Sequence, residues 1–498
     1  MKSLLGSAVF STLAAAASLI SGFASSVIVA RLLGPEGAGV VAFAIWLTMT
    51  GSMVVNFGSS AVLLRYSKRF DEDGCPGGGL ARTAAWRFTP PLILFCAGLL
   101  AYGLLPQEAP DAYPASFWAV TAALAAAFTL AAQAMAAARG LDRFKETTKL
   151  AFWGCLLQLP LVALGAWTFG AAGALLGYVA RHVPQALRFW HYARGRKGQR
   201  PPVMTEKMKT HARNSWISEV IGALVWGRIE ILFLSLFFTA TVTGYYAVGL
   251  SLAALVVQLP SQMVAGLTPH IGFHRDRGNM DQIRATYSRV FRWMSMLILP
   301  ICLGGFAVMP ALLPLLFGTQ FQPAVGPAGI VLLASILTAL SVIPSHIINA
   351  FERTDMYLLA SPVTAAVSIA LLLVLVPFHE TEGAAVARLL VHFMWFAWLL
   401  AFCWTALKIA PPLASLARIL AAGLCCALAA ALTLHQIDQT WTGLTGAIAA
   451  GGAVYLAALR LFGCIERAEI DGIAANVSGV LPQRIARPGI ALLRLLAR

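Results

Sequence analysis

Residues 292–353 read RWMSMLILPICLGGFAVMPALLPLLFGTQFQPAVGPAGIVLLASILTALSVIPSHIINAFER. Between Arg292 and Glu352 there is no charged side chain. A bilayer crossing takes about 20 apolar residues, so this interval holds two crossings joined by the short polar turn Gly318–Pro323. The same pattern recurs outward along the chain. Lys and Arg are missing between Arg87 and Arg139, Lys149 and Arg181, Arg228 and Arg275, and Arg418 and Arg460. They cluster in every second connection, as the positive-inside rule requires of a polytopic membrane protein.

Composition agrees. The chain has 498 residues, of which 59% are hydrophobic and only 11% charged, with a mean hydropathy of +0.76. A water-soluble surface needs about a quarter charged residues, so lipid is the solvent for most of this one. The net charge of +15 lies in alternate loops facing anionic lipid, which accounts for it without nucleic acid as a partner. The eight cysteines show no CxxC pair and no Cys/His ligand spacing, so neither a metal site nor a disulfide framework is expected. No nucleotide-binding loop and no paired outer carboxylates occur, so no cofactor is expected and the chain does not read as an enzyme.

Apolar length and the charge clusters place fourteen spans at 7–30, 38–63, 87–105, 117–138, 149–168, 171–192, 214–238, 244–268, 291–313, 327–350, 356–377, 383–406, 414–434 and 441–463. The apolar run after Met1-Lys2-Ser3 is longer than a signal peptide core and leads into a second span, so it reads as an uncleaved first helix. Both termini are expected in the cytoplasm. The segment Glu466–Arg498, with Arg484, Arg487, Arg494 and Arg498 among Ile and Leu, reads as a basic amphipathic helix on the inner leaflet, or equally as a loosely ordered basic end.

The chain repeats itself. Leu33–Ala42 aligns with Phe238–Ala247, Arg139–Arg143 with Asn349–Arg353, and Gly173-Ala174 with His182 against Gly383-Ala384 with His392. Each shift is similar and moves six spans, an even number, so the repeats are parallel about an axis along the membrane normal. The fold class expected is therefore all-α polytopic, two six-helix lobes plus two appended helices. The boundaries are 1–192, a cytoplasmic linker 193–213, 214–406, spans 13 and 14 over 407–463, and a tail over 464–498.

Three loop stretches resemble a known family. Ala30-Arg31-Leu32-Leu33-Gly34-Pro35-Glu36-Gly37-Ala38-Gly39 is similar to the first-loop signature of polysaccharide flippases, the Wzx-like branch of the multidrug/oligosaccharidyl-lipid/polysaccharide exporter superfamily. Glu230 stands where that family often has Asp in span 7. Leu316-Phe317-Gly318-Thr319-Gln320-Phe321-Gln322-Pro323-Ala324 resembles its outer-loop pattern. The resemblance implies two lobes around a central cavity, alternating access, and export of an undecaprenyl-diphosphate-linked glycan across the bacterial inner membrane. It also implies membrane lipids and other polysaccharide-assembly membrane proteins as partners.

Moving a diphosphate through hydrocarbon needs cationic partners, which makes the intramembrane charges the candidate site. Arg228 lies inside span 7, with Glu230 two residues on, a spacing that does not put them face to face on a helix. Either Arg228 meets phosphate and Glu230 tunes it or couples an ion, or Arg228 pairs with a carboxylate on another span. Arg181 in span 6 and Arg388 in span 12 are suited to clamp one diphosphate bidentately from both lobes, or Arg388 snorkels to the interface. Arg31 is a candidate guard of the outer mouth, or a snorkelling helix end. His182 and His392 match under the repeat and are either neutral interhelical hydrogen-bonders or proton-coupling groups. Gln158, Gln258, Gln262 and Asn56 are expected in interhelical hydrogen bonds or sugar contacts. Pro160 and Pro260 are expected to bend their helices.

Three rivals remain open: a cation-coupled drug exporter of the same superfamily, a flippase for the peptidoglycan lipid precursor, and a membrane glycan polymerase or ligase. The drug-exporter branch typically carries an Asp in its first span, whereas the first acidic residue here is Glu36, already in a loop. The short outer loops disfavour the polymerase.

Overall fold

A computed structural model describes residues 2–71, 75–105, 113–194, 202–264 and 266–464. The amphipathic reading of Glu466–Arg498 lies outside the described residues. No β-strand occurs among those described, which form fourteen helices: α1 Lys2–Val55, α2 Ser59–Tyr66, α3 Leu80–Leu104, α4 Ala115–Gly140, α5 Phe144–Tyr192, α6 Glu206–Trp226, α7 Glu230–Phe237, α8 Ala240–Met263, α9 Leu267–Asp276, α10 Met280–Phe317, α11 Val325–Ala350, α12 Asp355–Thr405, α13 Leu413–Gln436 and α14 Trp441–Leu461.

Ten described helical stretches are long and apolar enough to cross a membrane. Three of them run to 42, 49 and 51 residues, about twice a crossing, because each is a helical hairpin. The backbone breaks at Gly34 (φ 70°, ψ −170°), Gly170 (φ 61°, ψ −142°) and Glu380 (φ 45°, ψ −125°). Two of these positions are glycine, which adopts positive φ at no steric cost. Span 7 is carried by α6 and α7 together. Counted this way the spans number fourteen. Pro160 lies inside α5, which keeps helical φ/ψ there and breaks only at Gly170. Pro260 lies within α8, which ends three residues later.

The outer faces of these helices are apolar. Leu94 is 75% exposed and Phe378 is 80% exposed. In water such a surface would drive aggregation; against acyl chains it costs nothing.

The chain forms two compact units, Met1–Ser251 with Ser361–Ala387, and Leu252–Ala360 with Arg388–Arg498. In the first, a core of Leu63, Leu80, Phe88, Ala134, Phe189 and Met208 joins α2, α3, α4, α5 and α6 at the ends that carry the basic loops. In the second, α13 and α14 pack on α10 through Leu299, Ile419, Cys426 and Leu459, and the Tyr455 hydroxyl donates to Met296 O at 2.7 Å.

The repeat read from the sequence recurs in local geometry. After α4, Asp142 takes φ 59°; after α11, its counterpart Glu352 takes φ 58°. The same backbone bonds close both turns, Arg143 N to Ala138 O at 2.9 Å and Arg353 N to Ile348 O at 3.1 Å. Both acids take a cation from the end of an earlier helix of their half: Lys68 pairs with Asp142, and Arg275 Nη1 lies 3.5 Å from Glu352 Oε1. A Cβ on Gly173 would come within 2.0 Å of Gly165 O, and one on Gly383 within 2.3 Å of Leu375 O. These are the same close approach at matched places in two hairpins.

Candidate substrate site

Arg181 lies on the second limb of α5, half-buried. Its Nη1 donates to Gln158 Oε1 at 2.9 Å. Ser21 Oγ on α1 donates to the same oxygen at 2.8 Å. Gln158 is fully buried, on the first limb of α5, so three helical segments meet at one amide. Gly154 permits the approach, since a Cβ there would sit 2.2 Å from the Arg181 carbonyl oxygen. Gly22 lies opposite, its missing Cβ 4.0 Å from Arg181 Nη1. Among the described residues no carboxylate pairs with Arg181. A hydrogen bond to a charged group contributes about 1.5–3 kcal/mol, while desolvating an ion costs several. The amide orients the guanidinium without offsetting its charge, and a net positive charge stays inside the span.

Arg228 stands in a break. α6 ends at Trp226, its C-cap Gly227 is extended (φ −75°, ψ 138°), and α7 starts at Glu230. The expectation that Arg228 and Glu230 sit two residues apart on one helix is therefore corrected: Arg228 belongs to the break, and Glu230 opens the next helix. There the buried Glu230 carboxylate (5% exposed) sits at a helix N-terminus, where the dipole favours negative charge. Irregular backbone at membrane depth is tolerated where it is buried in protein or lines a cavity. The side chain of Tyr178, one turn before His182, lies within electrostatic reach of both Arg181 and Arg228. The first unit thus brings these two cations around one tyrosine.

The other candidates are placed as follows. His182 is half-buried, with Phe128 edge-on at 5.1 Å. Arg31 is exposed near the end of the first limb of α1. Arg388 and His392 lie one turn apart on α12 in the second unit, His392 being 2% exposed. Asn56 is hydrogen-bonded between helices, as expected: Gln133 Nε2 donates to its Oδ1 at 3.0 Å. Gln258 and Gln262 fall in α8.

Two groups escape the sequence reading. Glu219, half-buried on α6, accepts from Asn56 Nδ2 at 3.4 Å; its only signal is an acid inside the stretch read as span 7. Arg188 on the second limb of α5 pairs with Glu146 on the first, clasping the open end of the hairpin. Their separation in sequence hides the pair.

Residues 28–326 match the family model described as polysaccharide biosynthesis protein. The chain belongs to this family. Among curated relatives, the probable flippase AglR of Haloferax volcanii is 23% identical over 263 residues, 51% of this chain and 53% of that protein; the chain spans about half the length of the curated relative it matches. Among solved structures, the Lipid II flippase MurJ in an inward closed conformation aligns with TM-score 0.71 over 91% of this chain and 98% of its own, at 13% identity. An inward-facing multidrug resistance MATE family transporter of the MOP superfamily aligns with TM-score 0.64 over 78% and 95%, also at 13% identity. At such identities the likeness is one of fold. That fold is the one the loop signatures pointed to, a multi-pass membrane architecture of transporters and flippases.

Proposed function

We propose that this protein flips an undecaprenyl-diphosphate-linked oligosaccharide from the cytoplasmic to the outer leaflet of the bacterial inner membrane, for polysaccharide export. The observation that carries the reading is Arg181, a cation inside a span, oriented by a neutral amide, with no carboxylate partner among the described residues and with Arg228 near the same tyrosine. A diphosphate entering hydrocarbon loses its hydration and needs charge-assisted donors in return. Two guanidiniums supply planar forks that fit phosphate oxygens better than ammonium groups do. The family match to polysaccharide biosynthesis supports a glycan cargo.

In this reading residues 1–192 and 214–406 are two lobes that alternate access, linked by 193–213, with spans 13 and 14 over 407–463 appended. Arg31 joins the cationic site toward its outer end, and Arg388 is a further substrate-binding cation. Glu230, His182 and His392 take part in ion coupling. The basic connections face the cytoplasm, together with both termini, and partner membrane proteins of glycan assembly receive the product.

The test is reconstitution in liposomes with a fluorescent polyprenyl-diphosphate oligosaccharide. Protein-dependent transfer between leaflets, reduced at least tenfold by Arg181→Gln with normal insertion, is expected. Absence of transfer by a folded protein, or unchanged transfer by Arg181→Gln, would overturn the reading.

A further inference from the structure

A groove of about 770 Å³ runs between the first limbs of α1 and α5, a volume within the ~300–1,000 Å³ of small-molecule sites. The two limbs are fixed to each other at one level. Ser21 Oγ donates to Cys155 O at 3.4 Å, and Ser18 Oγ lies 3.8 Å from Cys155 Sγ. Toward the start of α5 the groove opens, where α1 contributes Ala14, Ala16 and Ala17 to its wall. Their methyl groups stop short of filling the space between two helices. Farther along the groove stand Ile20, Phe152 and Trp153, exposed to 65%, 56% and 56%. Apolar side chains so exposed on a membrane protein face acyl chains.

The other end of the groove is charged. Lys145 and Lys149 line it, one turn apart on one face of α5. Like charges at that spacing repel, and an anion between them removes the repulsion. The acids nearest in sequence are engaged elsewhere: Asp142 pairs with Lys68, and Glu146 with Arg188 on the second limb of α5. Thr148 donates its hydroxyl back to Phe144 O at 3.0 Å, which leaves the ammonium groups as the donors for a ligand. A lysine near the end of a spanning helix lays its stem on apolar surface and holds its charge at headgroup level.

We propose that this groove binds one anionic phospholipid, with its phosphate between Lys145 and Lys149 and an acyl chain along the alanine wall toward Ile20 and Trp153. Basic pockets between spanning helices take anionic headgroups in this way. Two cations select a headgroup of net negative charge over a zwitterionic one. Lysine, compact and strongly hydrated, suits a resident lipid whose headgroup stays at the interface, whereas a transported lipid must leave it. The groove adjoins the Arg181 junction: Ile20 precedes Ser21, and Trp153 precedes Gly154. An occupied groove therefore braces α1 on α5 behind the candidate substrate site. Only the assignment of this lipid to the inner leaflet rests on the orientation proposed above.

The experiment uses the full chain in phosphatidylcholine nanodiscs containing a trace of phosphatidylglycerol with a diazirine on its acyl chain. Illumination should attach the lipid to peptides holding residues 14–20 or 145–153. Unlabelled phosphatidylglycerol should compete, and phosphatidylcholine should not. Lys145→Gln with Lys149→Gln, two exposed positions, should cut this labelling at least fivefold. Lys207→Gln with Lys209→Gln should leave it unchanged. Ala17→Phe, which fills the groove with the lysines intact, should also cut it, and thermal unfolding in the same nanodiscs shows whether each variant is folded. Labelling with no preference for these peptides, equal competition by phosphatidylcholine, or equal loss in the Lys207/Lys209 variant would each overturn the proposal. So would undiminished labelling in the Lys145/Lys149 variant or in folded Ala17→Phe. Displacement by polyprenyl diphosphate at a lower concentration than phosphatidylglycerol would assign the groove to a transported lipid, and that too would overturn it. The labelling measures no transfer between leaflets, so its outcome is separate from that of the transport assay.

Discussion

Gly39 and Gly244 pack against each other reciprocally. A Cβ on Gly39 would meet Ala240 O at 1.8 Å, and a Cβ on Gly244 would meet Pro35 O at 1.9 Å. Pro35 and Ala240 occupy equivalent places in the repeat, as do the two glycines. Each glycine thus lies under the other's hairpin, the isologous contact that two-fold symmetry produces. Both belong to the first unit, so the loop opening the second repeat is seated on the loop opening the first.

Replacing either glycine should therefore be costly, and about equally so. Gly39→Leu and Gly244→Leu should each lower stability by about 1–3 kcal/mol through overpacking. The double variant should fall short of the sum, because the first substitution already forces the hairpins apart. Thermal unfolding in detergent or nanodiscs checks this. Full additivity would mean the two sites are independent.

The left-handed residues at the repeat turns give a second prediction. Asp142→Val should destabilise by about 1–2 kcal/mol, since a β-branched residue is poorly placed at positive φ, whereas Asp142→Gly should be tolerated. Glu352→Val and Glu352→Gly should repeat the pattern. The Lys68 amine beside Asp142 is held above its ordinary 10.5 by the hydrogen bond to Asp142, and then by its charge. A raised folded value means that this contribution is fully present below about pH 10.5 and is lost as pH rises through the higher folded value. Stability of wild type relative to Lys68→Ala should thus stay flat between pH 6 and 9, as pH-scanned unfolding would show.

Arg181 should separate stability from transport. No described carboxylate is orphaned by its removal, so Arg181→Gln should change stability by less than about 1.5 kcal/mol. Transfer of the diphosphate-linked substrate should nevertheless fall at least tenfold. Gln158→Leu should give an intermediate loss by releasing the guanidinium. If Arg181→Gln unfolds the protein, Arg181 is a structural residue.

Arg228 is tested by charge against shape. Arg228→Lys keeps the charge and loses the fork, and should transport poorly; Arg228→Ala should be worse. Normal transport by a well-expressed Arg228→Ala variant would remove this residue from the site.

Orientation is accessible to cysteine labelling. Gln320→Cys, in the turn after α10, should react with an impermeant reagent from outside. Lys207→Cys, at the start of α6, should react only after permeabilisation, as should Gly198→Cys, outside the described residues. Gln320 suits the test better than Gly318, whose φ of 113° strains any substitution. Outside labelling at Lys207 would invert the topology.

The sequence by itself determined the solvent, the number of spans and the internal repeat. Those follow from one-dimensional quantities: apolar length, the spacing of Lys and Arg, and matched turn residues such as Asp142 with Glu352, which place the same backbone conformation at the same interval. It also marked Arg181 and Arg228, because a charge in an apolar run stands out without any neighbour. Only the tertiary structure decided what those charges meet. Arg181 and Ser21 both donate to Gln158 Oε1, Ser21 from a segment more than a hundred residues away, Gly154 makes room for Arg181, and span 7 breaks at Gly227 in place of running on as one helix. Glu219 shows the limit most plainly. Its carboxylate accepts from Asn56, which arrives from the end of α1. That approach is fixed by close packing at Gly58 and Ala212, and packing contacts between distant segments leave no periodic trace along the chain.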